Sequence, residues 1–269
     1  MLESARAGKL VGEKGAGGDR STLKLPPEDE ALLNELASVN KNTVVTYVGG
    51  SAIDMSDWED KAPAIVFAWY AGMEGGKALA NILYGKVNPS GKLPFTIAAN
   101  EEDYPEFNPY TDNITYGYYH GYTLFEKEDK PIAYPFGFGL SYTSYKYSDL
   151  RINDANLSVN DTLGVSVILQ NTGAVAGEEV VQLYVGFGNS SVDRPVKLLR
   201  GFDKIYLNAG EKQEVVFSLP VKEMAYYDPA AKNWKVEQME YELYVGGSSG
   251  NVHLLQDKFR VTNVAPTVD

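Results

Sequence analysis

Eight aromatic side chains crowd one irregular stretch: Tyr104, Phe107, Tyr110, Tyr116, Tyr118, Tyr119, Tyr122 and Phe125, interrupted by Pro105 and Pro109. Rings with polar tips suit the faces of sugars, and a loop this long is either functional or packed against a neighbour. His120, set among Tyr118, Tyr119, Gly121 and Tyr122, could line the rim of a sugar site together with Tyr119 and Tyr122. The competing reading is that the rings pack a seam between domains and that His120 is hydrogen-bonded there. The only other histidine, His253, reads as surface. Two histidines give a histidine-rich metal site or a serine–histidine triad little to work with. There is no cysteine, which excludes disulfides, thiolate zinc sites and cysteine nucleophiles. A glycine turn at Gly72, Gly75 and Gly76 lacks the spacing of a dinucleotide or phosphate-binding loop.

The elements that must hold this loop follow from periodicity. Val44, Val45, Tyr47 and Val48 form one apolar run and Ala64 to Trp69 a second, the pattern of strands buried on both faces. Ala78, Leu79, Ile82 and Leu83 recur at helical spacing between Gly76 and Tyr84, with Gly85 as the expected C-cap. With Lys92 to Ile97 as the next strand, this is a βαβ unit, and it predicts a parallel sheet. Upstream, Pro26 and Pro27 open a helix with Leu32, Leu33 and Leu36 on one side, ended by Asn40 and Asn42. Residues 1–19, rich in glycine, alanine and charge, read as a flexible arm.

From Tyr145 to Val261 the period changes to two. Val165, Val167 and Leu169 alternate, then Val181, Leu183 and Val185, then Val215, Phe217 and Leu219, then Tyr241, Leu243 and Val245, then Phe259 and Val261. About seven such strands argue a β-sandwich. PFGFGLSYTSY, with glycines where the backbone must bend, reads as the seam between domains. A net charge of −12 makes nucleic acid and anionic membrane poor partners. No apolar run is long enough to span a bilayer, and residues 1–20 carry no apolar signal core. The compartment is open, with a secreted or periplasmic setting favoured. Asn113, Asn156, Asn160 and Asn189 head glycosylation sequons, which matter only in a eukaryotic secretory route.

As strings, six blocks resemble glycoside hydrolase family 3, in that family's order. They are GGDRSTLKLPPEDEALL, AWYAGMEGGKALANILYGKVNPSGKLPFT, YHGYTLF with AYPFGFGLSYTSY, VILQNTGAVAGEEVVQLYVG, RPVKLLRGFDKIYLNAGEK and YELYVGGSSG. The last three resemble the family's fibronectin type III-like domain. The implied layout is an arm over residues 1–24, the C-terminal half of an α/β sandwich over 25–143, and an all-β fibronectin type III-like, immunoglobulin-like sandwich over 144–269. A doubly wound sheet needs about five or six strands, and three precede the aromatic loop. The parallel sheet is therefore expected to be incomplete, and the resemblance places a (β/α)8 barrel and the missing half-sandwich before residue 1.

The resemblance implies a retaining, metal-free, cofactor-free β-glucosidase acting on a β-glucoside or oligosaccharide. Such chemistry needs two carboxylates about 5 to 5.5 Å apart, and the family's nucleophile is an aspartate on the barrel. Ser56-Asp57-Trp58 looks like the nucleophile motif but falls between sandwich strands, so Asp57 is read as a decoy. Gly17, Gly18, Asp19 and Arg20 match the tail of the family's acid/base string, but Ala16 stands where the glutamate would be. The acid/base then lies upstream of residue 1, or is Glu13 on a shifted loop, or is lost. Asp19 and Arg20 read as an ion pair. The expected partner is the barrel, on another chain or in a missing N-terminal part, and a homo-oligomer is compatible with either. The alternative function is a non-catalytic carbohydrate-binding or accessory module.

Overall fold

Proline fixes its own φ and lacks a backbone donor that the first turn of a helix does not need, so Pro27 opens α1, Pro27–Val39. Glu28, Asp29 and Glu30 lie in its first turn, at the positive end of the helix dipole, and Asn40 caps its end. The structure, a computed structural model, describes residues 22–106, 113–250 and 254–263. Two compact units emerge: unit 1 is Met1–Val87, Phe95–His120 and Asp129–Tyr134, and unit 2 is Asn88–Pro94, Gly121–Glu128 and Pro135–Asp269.

In unit 1, α1 is followed by β1, Val44–Tyr47, then β2, Ala64–Phe67, and α2, Gly75–Leu83. Strands β1 and β2 pair in parallel, Val44 opposite Ala64 and Tyr47 opposite Phe67. Gly85 takes φ +67 just past α2, and its N–H bonds to Ile82 O at 2.8 Å, so the expected glycine stop is in place. The third strand departs from expectation. Only Ile97–Ala98 is extended (β3), and it pairs antiparallel with β4, Ile132–Tyr134, so it does not continue the parallel sheet. The sheet of β1 and β2 therefore has two strands.

That shortfall shows in burial. Read as strands covered on both faces, β1 and β2 are instead mostly half-exposed, with Tyr47 the one buried residue between them. Helix α2 buries no residue fully, and α1 buries only Ala37. Ile53, Met55 and Trp58 form the best-covered apolar group of the unit, each about 1 % exposed. Trp69, at the end of β2, takes φ +53, an unfavourable conformation for an aromatic residue. Its ring is edged by Phe67 at 5.7 Å and by Phe95 at 5.6 Å.

In unit 2, α3, Gly121–Lys127, precedes ten strands. These are β5 (Tyr145–Ile152), β6 (Asn156–Ser158), β7 (Thr162–Asn171), β8 (Gly177–Gly186), β9 (Lys197–Leu207), β10 (Lys212–Pro220), β11 (Tyr226–Asp228), β12 (Asn233–Lys235), β13 (Glu240–Gly246) and β14 (Leu255–Asn263). One sheet has the order β10-β7-β5, the other β6-β14-β13-β8-β9, and β11 with β12 forms a separate hairpin. Each alternating set read from sequence is buried between the sheets, from Leu163 and Val165 through Leu183 and Val215 to Phe259 and Val261. Three segments outside these strands are bonded to them. Asn88 Nδ2 donates to Ala176 O at 2.9 Å, while Ser141 Oγ and Tyr142 N both donate to Asn88 Oδ1 at 2.8 Å. Lys92, whose side chain is 13 % exposed, pairs with the buried Glu179 at 2.9 Å, and Tyr147 OH donates to the same carboxylate at 2.9 Å. Residues on both sides of position 143 thus belong to one packed body.

Candidate functional site

The aromatic stretch separates by environment. Tyr104 is structural: its hydroxyl accepts from Ala98 N and donates to Thr96 O, both at 3.0 Å, which fixes the start of the loop to β3. Phe125 is buried, and Phe107, Pro109 and Tyr110 lie outside the described residues. Tyr116 and Tyr118 stand in the open, 53 % and 67 % exposed. Tyr118 meets the half-buried Tyr119 edge to face, with centroids 5.0 Å apart. His120 is exposed, and its Nδ1 lies 3.3 Å from the backbone oxygen of Tyr118. Unit 1 therefore presents Tyr116, Tyr118 and His120 as exposed rings with polar tips, while the Tyr119 hydroxyl is buried.

Tyr122 has a different setting. Gly121 takes φ +52, which glycine adopts without steric cost, and starts α3. The Tyr122 ring stacks on Phe136 at 5.0 Å and meets Tyr184 edge-on at 6.1 Å. Its hydroxyl accepts from Leu199 N at 3.0 Å, and burial pushes the phenol pKa up. Ring and hydroxyl are both engaged inside unit 2, so Tyr122 anchors α3. Two ion pairs complete the anchor. Glu126 bonds Lys197 at 2.5 Å, and Lys127 bonds Asp193 at 2.5 Å. The Lys197 side chain is 1 % exposed, and its ammonium lies 5.9 Å and 5.8 Å from the Tyr184 and Tyr244 ring centres. Burial raises the Glu126 carboxyl pKa above its ordinary value, against the pull of Lys197.

A second group of acids bonds residues 22–24 of unit 1. Asp57 Oδ2 pairs with Lys24 Nζ at 2.7 Å and Trp58 is buried, so the Ser56-Asp57-Trp58 triplet has a structural setting. Asp54, which sequence reasoning passed over, is 3 % exposed. Its carboxylate accepts from Ser56 N at 2.9 Å and Glu101 N at 3.0 Å, and its own N–H donates to Leu23 O at 3.0 Å. Glu101 in turn accepts from Thr22 Oγ1 and Leu23 N, both at 2.6 Å. Burial raises the Asp54 pKa, but hydrogen bonds from Ser56 and Glu101 outweigh it and hold the carboxyl below its usual range. The signal available in the sequence was Asp54-Met55-Ser56, the spacing of a turn in which a carboxylate takes the amide two residues on. Glu13, Ala16, Gly17, Gly18, Asp19, Arg20 and His253 lie outside the described residues.

Among the described residues no three acidic or histidine side chains are placed to hold a metal ion, and no helix is long and apolar enough to cross a membrane. A rim of tyrosines can stack on and hydrogen-bond to a neutral polyhydroxyl ligand. The carboxylates described above, Asp54, Asp57, Glu101 and Glu126, are each engaged in ion pairs or hydrogen bonds.

Two family models match the chain. The family model for the glycosyl hydrolase family 3 C-terminal domain matches residues 4–142, and that for a fibronectin type III-like domain matches 179–249. Thermostable β-glucosidase B of Acetivibrio thermocellus is 38% identical over 252 residues, covering 92% of this chain and 33% of that protein. The β-glucosidase BoGH3A of Bacteroides ovatus is 38% identical over 245 residues, covering 88% of this chain and 33% of that protein. The crystal structure of a GH3 β-glucosidase from Bifidobacterium adolescentis superposes with a TM-score of 0.83 at 36% identity, covering 92% of this chain and 37% of that one. The chain thus spans about a third of the length of the curated relatives it matches. With more than half of its residues under the first of these models, the chain belongs to glycoside hydrolase family 3, as that family's C-terminal domain followed by a fibronectin type III-like domain.

Proposed function

We propose that this chain is the C-terminal portion of a retaining β-glucosidase-like hydrolase that cleaves O-glycosidic bonds of β-glucosides with a (β/α)8 barrel carried elsewhere. One observation carries the reading: the chain aligns with β-glucosidases over about nine-tenths of its own length but a third of theirs. The two-stranded parallel sheet with half-exposed faces supports it, because such a sheet is half of a layer. The barrel supplies the nucleophilic aspartate, and a second carboxylate about 5 to 5.5 Å from it protonates the leaving oxygen and then activates water. Glu13 is the one candidate for that second carboxylate within this sequence. Tyr119 and His120, with Tyr116 and Tyr118, contact the sugar, while Tyr122 holds the helix that follows them.

The test is hydrolysis of an aryl β-glucoside by the purified chain, alone and mixed with the barrel portion of a family member. No turnover alone and turnover on mixing is the expected result; turnover by the chain alone would refute the division of labour. Sugar binding with no turnover in either sample would favour the accessory-module reading.

A further inference from the structure

The hairpin of β11 and β12 carries a pair of rings that the packing of unit 2 does not use. Tyr227 and Trp234 stand directly opposite each other in its register, and both are at least half exposed, at 50% and 59%. Their centroids are 5.6 Å apart at an interplanar angle of 69°, so the two rings form an open corner. Among the described residues, neither the Tyr227 hydroxyl nor the Trp234 indole N–H has a hydrogen-bond partner. A cross-strand aromatic pair stabilises a hairpin by itself, but that role does not require both rings to be half bare and both polar tips to be idle.

Alternation along the two strands sorts the chemistry. Asp228 and Lys235, which pair at 2.5 Å, and Tyr226, over which Arg194 lies at 5.9 Å, occupy alternate positions to Tyr227 and Trp234. The charges therefore go to one face of the hairpin and the two rings to the other. On a chain of net charge −12, this is an uncharged aromatic corner with two hydrogen-bond groups at its rim. Such a surface is matched by a ligand that is neutral, presents C–H groups on a flat face and hydroxyls at its edge. A pyranose ring does all three, and the chain belongs to a family of glycoside hydrolases.

We propose that Tyr227 and Trp234 form a binding site for a neutral pyranose unit of a glycan, carried by the fibronectin type III-like unit. The reading depends on family membership for the choice of ligand and not on the hydrolytic role proposed above. It is also directly observable. Trp58 is 1 % exposed and Trp69 half-buried, so Trp234 is the exposed fluorophore among the three tryptophans.

The experiment is a tryptophan-fluorescence titration of the whole chain with cellohexaose, with oligogalacturonate as an anionic control and sedimentation velocity in parallel. A saturable change with cellohexaose and none with the anionic control is expected. Tyr227→Ala should weaken the affinity about tenfold, the scale of losing a central aromatic contact, read by the remaining indole. Trp234→Ala should abolish the optical signal and weaken binding equally when measured by calorimetry, whereas Trp234→Phe, which keeps a ring, should retain calorimetric affinity within about threefold. Tyr206→Ala, which removes an exposed ring elsewhere in unit 2, should leave the titration unchanged, and because the hydrolytic role proposed above is read by turnover and not by this titration, the two readings fail separately. Absence of saturable binding, or calorimetric affinity unaffected by Trp234→Ala, overturns the proposal. So does a concentration-dependent dimer that Trp234→Ala converts to monomer without any glycan effect, which would assign the corner to a second copy of the chain.

Discussion

The Glu126–Lys197 pair shows what a buried charge asks of its neighbours. Lys197 is almost wholly covered, and Glu126 keeps one oxygen, Oε2, buried without a hydrogen-bond partner. Removing one member leaves the other charged and unpaired, at a cost of about 3–5 kcal/mol, whereas replacing both with apolar residues of similar size is often neutral. Lys197→Met should therefore lower unfolding stability by that amount, and Lys197→Met with Glu126→Leu should recover most of it; urea unfolding of the four members of the cycle measures the coupling. Asp54 carries a prediction in pH. Its folded pKa lies below the unfolded value of about 3.9, so its contribution to stability is full above that value and is lost as pH falls through the lower folded one. Asp54→Asn should flatten the fall in stability of unit 1 below about pH 4, read as the urea midpoint at each pH. Neither site was legible in the sequence beyond the Asp-x-Ser spacing, because both rest on partners far along the chain: Glu126 on Lys197, and Asp54 on Leu23 and Glu101. Trp58 stands out in the sequence only within the Ser56-Asp57-Trp58 triplet, with nothing local to say that it would be covered.

At the scale of elements, periodicity served where an element completes its own environment within this chain. Strands β7, β10, β13 and β14 alternate every second residue, and their inward positions are the buried ones, while β8 is buried on both faces from Val181 to Gly186. Helices α1 and α2 begin and end within two residues of the glycine, proline and asparagine signals. That Lys92–Ile97 leaves the parallel sheet was not legible. Lys92 is drawn to Glu179, and Leu93 exchanges backbone hydrogen bonds with residues 137 and 138, so Lys92–Pro94 joins unit 2. In the aromatic stretch, ring content alone does not separate the exposed Tyr118 from the anchored Tyr122. The uncovered elements yield a prediction of their own. Leu36 of α1 is 48% exposed and Leu83 of α2 is 44% exposed. Leu36→Gln and Leu83→Gln should change the stability of the isolated chain by no more than about 0.5 kcal/mol each. If the remaining half-sandwich covers these faces, as proposed, the same changes should reduce the yield of assembled, active enzyme on mixing with the barrel portion. Unaltered assembly with both substitutions present would count against those faces being covered.

For the molecule as a whole, the two units differ in how much apolar surface they bury. In unit 2 a continuous core runs from Leu157 to Val261, while among the described residues of unit 1 burial is confined to Ala37, Tyr47 and a few residues around Ile53, Met55, Trp58 and Ile97. Calorimetry of the isolated chain should show two transitions, the lower belonging to unit 1, with the slowest amide exchange in β7, β8 and β13. Unit 2 is also discontinuous in sequence, and this can be tested by cutting. A fragment of residues 144–269 keeps the two sheets but loses Lys92 and Glu126, the partners of the buried Glu179 and Lys197. It also loses Asn88, whose amide bonds Ala176, and Tyr122, which takes the amide of Leu199. Two broken buried pairs at about 3–5 kcal/mol each are comparable with the whole stability of a domain, about 5–15 kcal/mol. The fragment should therefore fail to show a cooperative melt near the upper transition of the intact chain. Adding Glu179→Gln and Lys197→Met, which remove the stranded charges, should restore part of it. A fragment that melts where the intact chain does would show that the sandwich stands without these segments, and that their hydrogen bonds serve only to hold the preceding chain in place.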